Sequence, residues 1–380
     1  MWTLLSQGSR SNDRTDVSDS DHHRDLYRAA GVGCVFLDRP GHPVLDRPGP
    51  AFGGALQLSG IAHQHAHLGG GGVCHRPGGR GGGSLPLRGP TVPELPEVET
   101  TLRLVRPGIL GRTIRGVEVC WPRTIGGLGE HEFSSLVLGA RIAQARRRAK
   151  YIRLDLERGS ARTGYEAAGS ILIHLRMSGR LLLGRRGAAA PGWRRVSLEL
   201  DRGVLHFVDV RKFGRFVWTA TPAEDLAHLG PEPLSHEFTA EWLHGALARR
   251  RRQLKALLLD QSFLAGLGNI YVDEALHEAR LHPLTPSDRV SKARARELHQ
   301  AIQRILGEAI EREGSSFDGF YVTPEGNPGA YQDQFQVYGR EGLPCRSCGI
   351  RLIKMLVAQR GTHVCTRCQV LPRKLLARKA

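Results

Sequence analysis

The chain is 380 residues long and carries 54 Lys and Arg against 37 Asp and Glu, a formal charge of +17. Such a surplus favours a polyanionic partner, with nucleic acid the default, over the plainer alternative of a soluble protein with a solvated basic face. No apolar run approaches the length of a membrane span, so no helical anchor is expected.

Residues 1–91 have the composition of a segment that does not fold. They contain no Lys and no Glu, and Gly, Arg, His, Asp and Pro dominate. Leu37-Asp38-Arg39-Pro40-Gly41 recurs as Leu45-Asp46-Arg47-Pro48-Gly49, and the glycine runs at 69–72 and 81–83 have no apolar period around them. Sequence of this kind cannot bury enough apolar surface to offset the entropy of ordering it. Asp13, Asp16, Asp19, Asp21 and Asp25 argue against a transit peptide, and the lack of a continuous apolar core argues against a secretory signal. Two origins remain open: a disordered leader, or upstream nucleotide sequence translated from an over-long gene model. The missing Lys and Glu favour the second, because GC-rich non-coding sequence has few of their A-rich codons. Val92 is then the initiator, and removal of the initiating Met would expose Pro93.

Val92-Pro93-Glu94-Leu95-Pro96-Glu97-Val98-Glu99-Thr100 follows. A proline at a free N-terminus is a secondary-amine nucleophile, here with carboxylates beside it; inside a chain the same nitrogen is an inert amide. Pro96 suits the first turn of a helix, and Glu97 and Glu99 suit the positive end of its dipole, so ordinary capping is the plain alternative for the acids. This helix is predicted to reach Arg106 and to stop at Pro107-Gly108. Short alternating segments come next at Ile114–Val119, Tyr151–Leu156, Ser170–Leu175, Val196–Leu200, Val204–Val208 and Phe213–Thr219. They read as an all-β sandwich or barrel. Arg158 to Gly169 reads as a peripheral loop insertion.

After Pro222 the pattern turns helical, with apolar faces over Glu241–Ala248 and Lys255–Leu259 and a helical period through Leu298, Ile302, Ile305, Leu306, Ala309 and Ile310. Between them, Gly266-Leu267-Gly268-Asn269 sets Asn269 at a predicted helix N-terminus, where free N–H groups favour an anion such as a phosphate. From Pro93 on there are roughly 290 residues, enough for two domains or one domain with small modules. Cys345-x2-Cys348-x16-Cys365-x2-Cys368 closes the chain with the spacing of a four-thiolate zinc site. Two disulfides are the alternative and would need an oxidising compartment. Cys34, Cys74 and Cys120 have no partner spacing.

Taken in order, PELPEVET, RRRAKY at 146–151, HLRMSG at 174–179, DVRKFGR at 209–215, GLGNIYVDEAL at 266–276 and the four-cysteine hairpin closely resemble bacterial formamidopyrimidine-DNA glycosylase, a base-excision family for oxidised purines. The likeness covers Pro93 to Gln369. It implies an α+β multidomain fold: an extension over 1–92, a catalytic β-sandwich over 93–222, a helix-two-turn-helix domain over 223–327, a zinc-finger β-hairpin over 335–369 and a basic tail over 370–380. It also implies one structural Zn2+ on Cys345, Cys348, Cys365 and Cys368, double-stranded DNA with oxidised bases or abasic sites as partner, a monomer, and a cytoplasmic location.

The resemblance carries roles onto matching positions. Pro93 would attack C1′ of a flipped nucleotide and form a Schiff base. Glu94 would protonate the ribose ring oxygen, Glu97 would support proton traffic, and elimination at the 3′ and then the 5′ phosphate would follow. Lys150 would meet the lesion's phosphate and take part in elimination. Met177, Arg211 and Phe213 would fill the hole left in the duplex, with Arg211 facing the orphaned base; core packing is the alternative for Met177 and Phe213. Asn269, Lys255 and Arg360 would hold phosphates, and Arg250, in the run Arg249 to Arg252, would widen that contact. Trp193 stands where many members carry a His-containing DNA contact, and Ser315-Ser316-Phe317-Asp318 replaces a more usual Thr-Thr-Leu and basic residue, which puts lesion choice in doubt. Two other readings stay open. One is an endonuclease VIII-like enzyme for oxidised pyrimidines, which Leu95 and the Met177/Arg211/Phe213 set disfavour. The other is a non-catalytic sensor of damaged DNA, if residues 1–91 remain attached.

Overall fold

The computed structural model describes residues 92–316 and 321–371. The predicted leader, Phe317 and Asp318, and the tail beyond 371 lie outside the described residues.

The first described element is α1 (Leu95–Ile109), entered through Pro96 in its first turn. It ties two cores together. Val98, Leu102, Val105 and Ile109, spaced three or four apart, lie in the sandwich core, whereas Leu95 belongs to the core of the helical domain. Truncating Leu95 to Ala would cost about 2–5 kcal/mol at that seam. The helix continues through Pro107, contrary to the predicted stop. Proline removes only the bond to the carbonyl of exposed Arg103, while buried Ile109 anchors the last turn.

Eight strands build two antiparallel sheets. They are β1 (Ile114–Val119), β2 (Arg141–Arg148), β3 (Tyr151–Ser160), β4 (Gly164–His174), β5 (Gly179–Gly184), β6 (Arg194–Leu200), β7 (Val204–Asp209) and β8 (Arg215–Thr219), with α2 (Glu130–Val137) between the first two. One sheet has the order β1-β6-β7-β5 and the other β2-β3-β4-β8. Ile152, Leu154 and Leu156 alternate inward with the strand period of two. The expected β-sandwich is therefore present. Strand β2 was hidden by its terminal arginines; only Ile142 and Ala145 on it are buried. Residues 158–169 are not a loop but the outer end of a hairpin, exposed over 158–166, with β3 and β4 paired out to Ser160 and Gly164. Phe213 lies in the turn before β8, not in a strand.

The second half is helical: α3 (Pro222–Asp225), α4 (Ala240–Ala248), α5 (Leu254–Leu258), α6 (Asn269–Glu278) and α7 (Lys292–Glu311). Thr239 caps α4 by accepting from Trp242 N at 3.0 Å. The face of α7 predicted from its period is the buried one, from Leu298 to Ile310. Strands β9 (Ile353–Val357) and β10 (Arg360–Val364) form the closing hairpin. Gln369 fastens it to the helices, donating to Leu281 O at 3.0 Å while accepting from Cys365 N. No helix among the described residues is long and apolar enough to cross a membrane.

Candidate active site and nucleic-acid interface

The start of α1 and the start of α6 meet head to head. Glu94, just before α1, turns its carboxylate onto the first amides of α6, accepting from Ile270 N at 2.9 Å and Tyr271 N at 3.5 Å. The expected phosphate seat at this helix N-terminus is thus taken by a side chain of the protein itself. Gly268 makes room for it, since a Cβ there would lie 2.3 Å from Glu94 Cδ. Glu97, one turn on, accepts from Glu94 N at 2.9 Å, from Ser315 N at 2.9 Å and from the Tyr271 hydroxyl at 2.5 Å. Pro93 is buried beside this pair.

Burial is the main force on both acids. It pushes the Glu94 carboxyl up to about 7, with nearby Glu97 adding to the rise and Lys150 opposing it. Glu97 is raised by burial as well, against the hydrogen bond from Tyr271. A carboxyl balanced near neutral pH can give a proton and take one back, as general acid–base work requires.

Lys150 is placed by a tight two-residue turn between β2 and β3, closed by the Arg148–Tyr151 pair. Ala149 there has φ +53. The turn is bolted to the linker after α3 by Glu232, which takes Arg147 at 2.6 Å, Arg148 at 3.0 Å and the Ala149 amide. Burial lowers the Lys150 ammonium, Glu94 and Glu97 hold it up, and Arg360 lowers it further. Lys150 thus feels both acids and the Arg360 guanidinium. Arg360 is exposed and follows a turn whose two central residues, Ala358 (φ +49) and Gln359 (φ +58), are both left-handed.

Asn269 opens α6 and donates to Gly361 O at 3.0 Å, which ties it to the same hairpin; its buried Oδ1 has no hydrogen-bond partner among the described residues. Lys255 departs from expectation. It is fully buried, pairs with Asp273 at 2.6 Å and donates to Gly361 O at 3.3 Å. An ammonium so enclosed braces the hairpin and does not present itself to a phosphate. Arg250 is exposed but lies 5.1 Å over the Phe263 ring and donates to Ala246 O, so it also packs the helical domain.

Met177, half-buried, and the loop of Arg211 and Phe213 share one organiser that sequence reasoning missed. Buried Asp209 accepts from the Ser178 hydroxyl, from Arg211 N at 3.1 Å and from Gly214 N at 2.7 Å. Phe213 is half exposed, and the Arg211 guanidinium lies 5.2 Å over its ring. Trp193 is exposed, with φ +61. Also missed were Tyr271, which touches both acids, and His174. Burial with Arg176 and Lys150 drives His174 down to about 3, so it is neutral and accepts from Arg176 N at 3.0 Å. The motif around each residue was visible; only the fold shows what each side chain touches.

The four thiols fit the predicted metal. All four sulfurs lie within 4.8 Å of one another, with Cys345–Cys368 at 3.9 Å and Cys348–Cys365 at 3.4 Å. A tetrahedral zinc with bonds of about 2.3 Å sets its sulfurs about 3.8 Å apart. Four thiolates leave no open position, so Cys345, Cys348, Cys365 and Cys368 hold a structural zinc.

Three units converging on two buried acids and two cations, in a basic chain, define a class: a protein that works on a nucleic-acid backbone. Comparison with known proteins narrows this. Residues 92–216 match the formamidopyrimidine-DNA glycosylase N-terminal domain, residues 229–320 the formamidopyrimidine-DNA glycosylase H2TH domain, and residues 342–370 the zinc finger found in FPG and IleRS. Formamidopyrimidine-DNA glycosylase of Chloroflexus aggregans is 44% identical over 285 residues, 74% of this chain and 99% of the relative. That of Symbiobacterium thermophilum is 43% identical, over 74% of this chain and 90% of the relative. The crystal structure of the MutM (FPG) protein from Thermus thermophilus superposes with a TM-score of 0.64 at 40% identity, covering 73% of this chain and 98% of that one. Lactococcus lactis Fpg in complex with DNA containing N7-benzyl-Fapy-dG gives 0.65 at 33% identity, covering 73% and 100%. The chain belongs to the formamidopyrimidine-DNA glycosylase family.

Proposed function

We propose that the protein excises oxidised purines from double-stranded DNA and then cuts the strand at the resulting abasic site. The carrying observation is the pairing of Pro93 with a buried Glu94 carboxyl whose proton is exchangeable near pH 7. The damaged nucleotide is flipped out, because C1′ cannot be reached inside the stack. Pro93 N, freed as the N-terminal amine and having a pKa near 8, attacks C1′. The base leaves and an iminium forms, with no second N–H to lose. Glu94 protonates the ring oxygen as the sugar opens, and Glu97 with Tyr271 holds Glu94's backbone in place. Elimination at the 3′ phosphate and then at the 5′ phosphate leaves a one-nucleotide gap, with Lys150 and Arg360 against the phosphate charge. Met177, Arg211 and Phe213 fill the vacated stack, Arg211 toward the orphaned cytosine. Asn269 adds a phosphate contact through its side-chain amide, the α6 amides being held by Glu94, and Arg250 contributes general charge. The protein acts as a monomer, since one chain supplies every group named here, and works in the cytoplasm.

Within the 380-residue sequence Pro93 N is an amide, which supports a second reading for that form, a damaged-DNA-binding protein without catalysis. Borohydride trapping on an 8-oxoguanine:cytosine duplex decides between them, using the full chain and a version initiated at Val92. The short form alone should give a covalent adduct through Pro93. Equal trapping by the full chain with residue 1 intact would remove Pro93 as nucleophile and point to Lys150.

A further inference from the structure

One face of α6 repeats its contacts to the zinc module. Asn269 donates to Gly361 O at 3.0 Å, Asp273 accepts from His363 N at 2.8 Å, and His277 Nε2 lies 3.6 Å from Cys345 Sγ. Positions four apart stack along one side of a helix, so successive turns of α6 each reach that module. The first two contacts hold backbone groups. The third reaches a metal ligand.

His277 stands in the last turn of α6 and is 4% exposed; Cys345 is 2% exposed. An imidazole buried so deeply needs partners for its nitrogens. With zinc bound, Cys345 Sγ is a thiolate and has no proton to give. The contact can then run only one way: Nε2 carries the hydrogen and the sulfur accepts. Four thiolates around one divalent ion leave a net negative charge, and a hydrogen bond to an ionised acceptor is a strong one where water is excluded. Within its own knuckle Cys365 Sγ accepts locally, from Cys368 N at 3.4 Å. The bond to Cys345 comes instead from the helical domain, 68 residues away.

We propose that His277 is a positioning residue for the zinc, its Nε2–H holding the Cys345 thiolate in place and drawing off part of the charge on that sulfur. Less charge on one sulfur eases the repulsion among the four, so the metal is held longer. The inference goes beyond the glycosylase reading and does not depend on it, since His277 lies at the opposite end of α6 from Glu94.

The test uses the full chain loaded with zinc and, separately, with Co2+. Against a chromogenic chelator, His277→Phe should release zinc about tenfold faster, because a ring remains but the donor is gone. In the Co2+ form its sulfur-to-metal charge-transfer band should move to longer wavelength, since a thiolate without the hydrogen bond gives up electron density more easily. His277→Gln, whose side-chain amide can present an N–H to the same sulfur, should restore most of both. Wild-type zinc release or an unmoved band in His277→Phe would overturn the proposal. So would equal losses in the Phe and Gln variants, the mark of a residue that only packs. A measurement on the wild type stands apart from any folding defect. Nitrogen NMR of the zinc-loaded chain with labelled histidine should show a proton on His277 Nε2, and a bare Nε2 would sink the idea.

Discussion

Two buried clusters flank α6 and treat charge in opposite ways. At its N-terminus, Glu94 and Glu97 are enclosed with only amide, hydroxyl and distant ammonium partners, and burial drives both toward the neutral acid. One turn further on, Asp273 is enclosed just as deeply but receives the Lys255 ammonium at 2.6 Å and the His363 amide at 2.8 Å. The first arrangement keeps a proton exchangeable near pH 7. The second cancels charge locally and locks α5, α6 and the zinc hairpin together. Depth of burial is common to both; the presence of a cation in hydrogen-bond contact separates a reactive carboxyl from a brace.

The comparison breaks first at Glu94. In the Val92-initiated form, Glu94→Gln should cut single-turnover excision by about 10²–10⁴-fold, the usual span for a general acid, while borohydride gel shifts follow the remaining Schiff base. An effect below tenfold would make Glu94 no more than a cap. On the braced side, Lys255→Met should cost about 3–5 kcal/mol in urea unfolding, because it strands the Asp273 carboxylate. Lys255→Met with Asp273→Leu should recover much of that loss. If the double variant is no better than the single, the pair is not the brace described.

A pH series sharpens the contrast. Glu94 has a folded pKa of about 7 against a usual value of 4.5. Its contribution to stability is full below pH 4.5 and is lost as pH rises through 7. At pH 8 Glu94→Gln should therefore be more stable than the wild type, by at most roughly 3 kcal/mol, and the difference should vanish by pH 4. Wild-type excision should be bell-shaped, rising as the Pro93 amine is freed and falling as Glu94 loses its proton, with its maximum between the two pKa values. A pH-independent difference in chemical denaturation would show that folding does not raise the carboxyl's pKa. The smallest effect belongs to Tyr271→Phe, which removes one donor to Glu97. It should cost about 1–2 kcal/mol and raise the Glu97 carboxyl further, seen as a modest drop in Tm that grows with pH.

Much of this protein was legible in one dimension. The Cys345 to Cys368 spacing forms a metal site through two short turns and one hairpin, so local sequence carries nearly all of its geometry. The face of α7 follows from a period that repeats every few residues, and the Pro93-Glu94 pair is adjacent by covalent bond. The alternation of β3 and the short apolar runs of β6 and β7 were visible for the same reason. Strand β2 escaped because its arginines mask an apolar period of only two buried residues.

What tertiary structure alone decided concerns charge and contact across long separations. Glu94 meets amides 176 and 177 positions away, and that encounter, not the residue type, fills the α6 N-terminus and sets the proton affinity of the acid. Lys255 reads as a phosphate contact in sequence and is a buried brace in the fold, because Asp273 and Gly361 close over it. Asp209 ties Trp193 to the Arg211–Phe213 loop through a bond across sixteen residues, and no local pattern announces it. Sequence specifies short-range geometry because bonded neighbours have few conformations to choose from. Burial and pKa depend on which distant groups displace water around a side chain, and that is set only when the chain has packed.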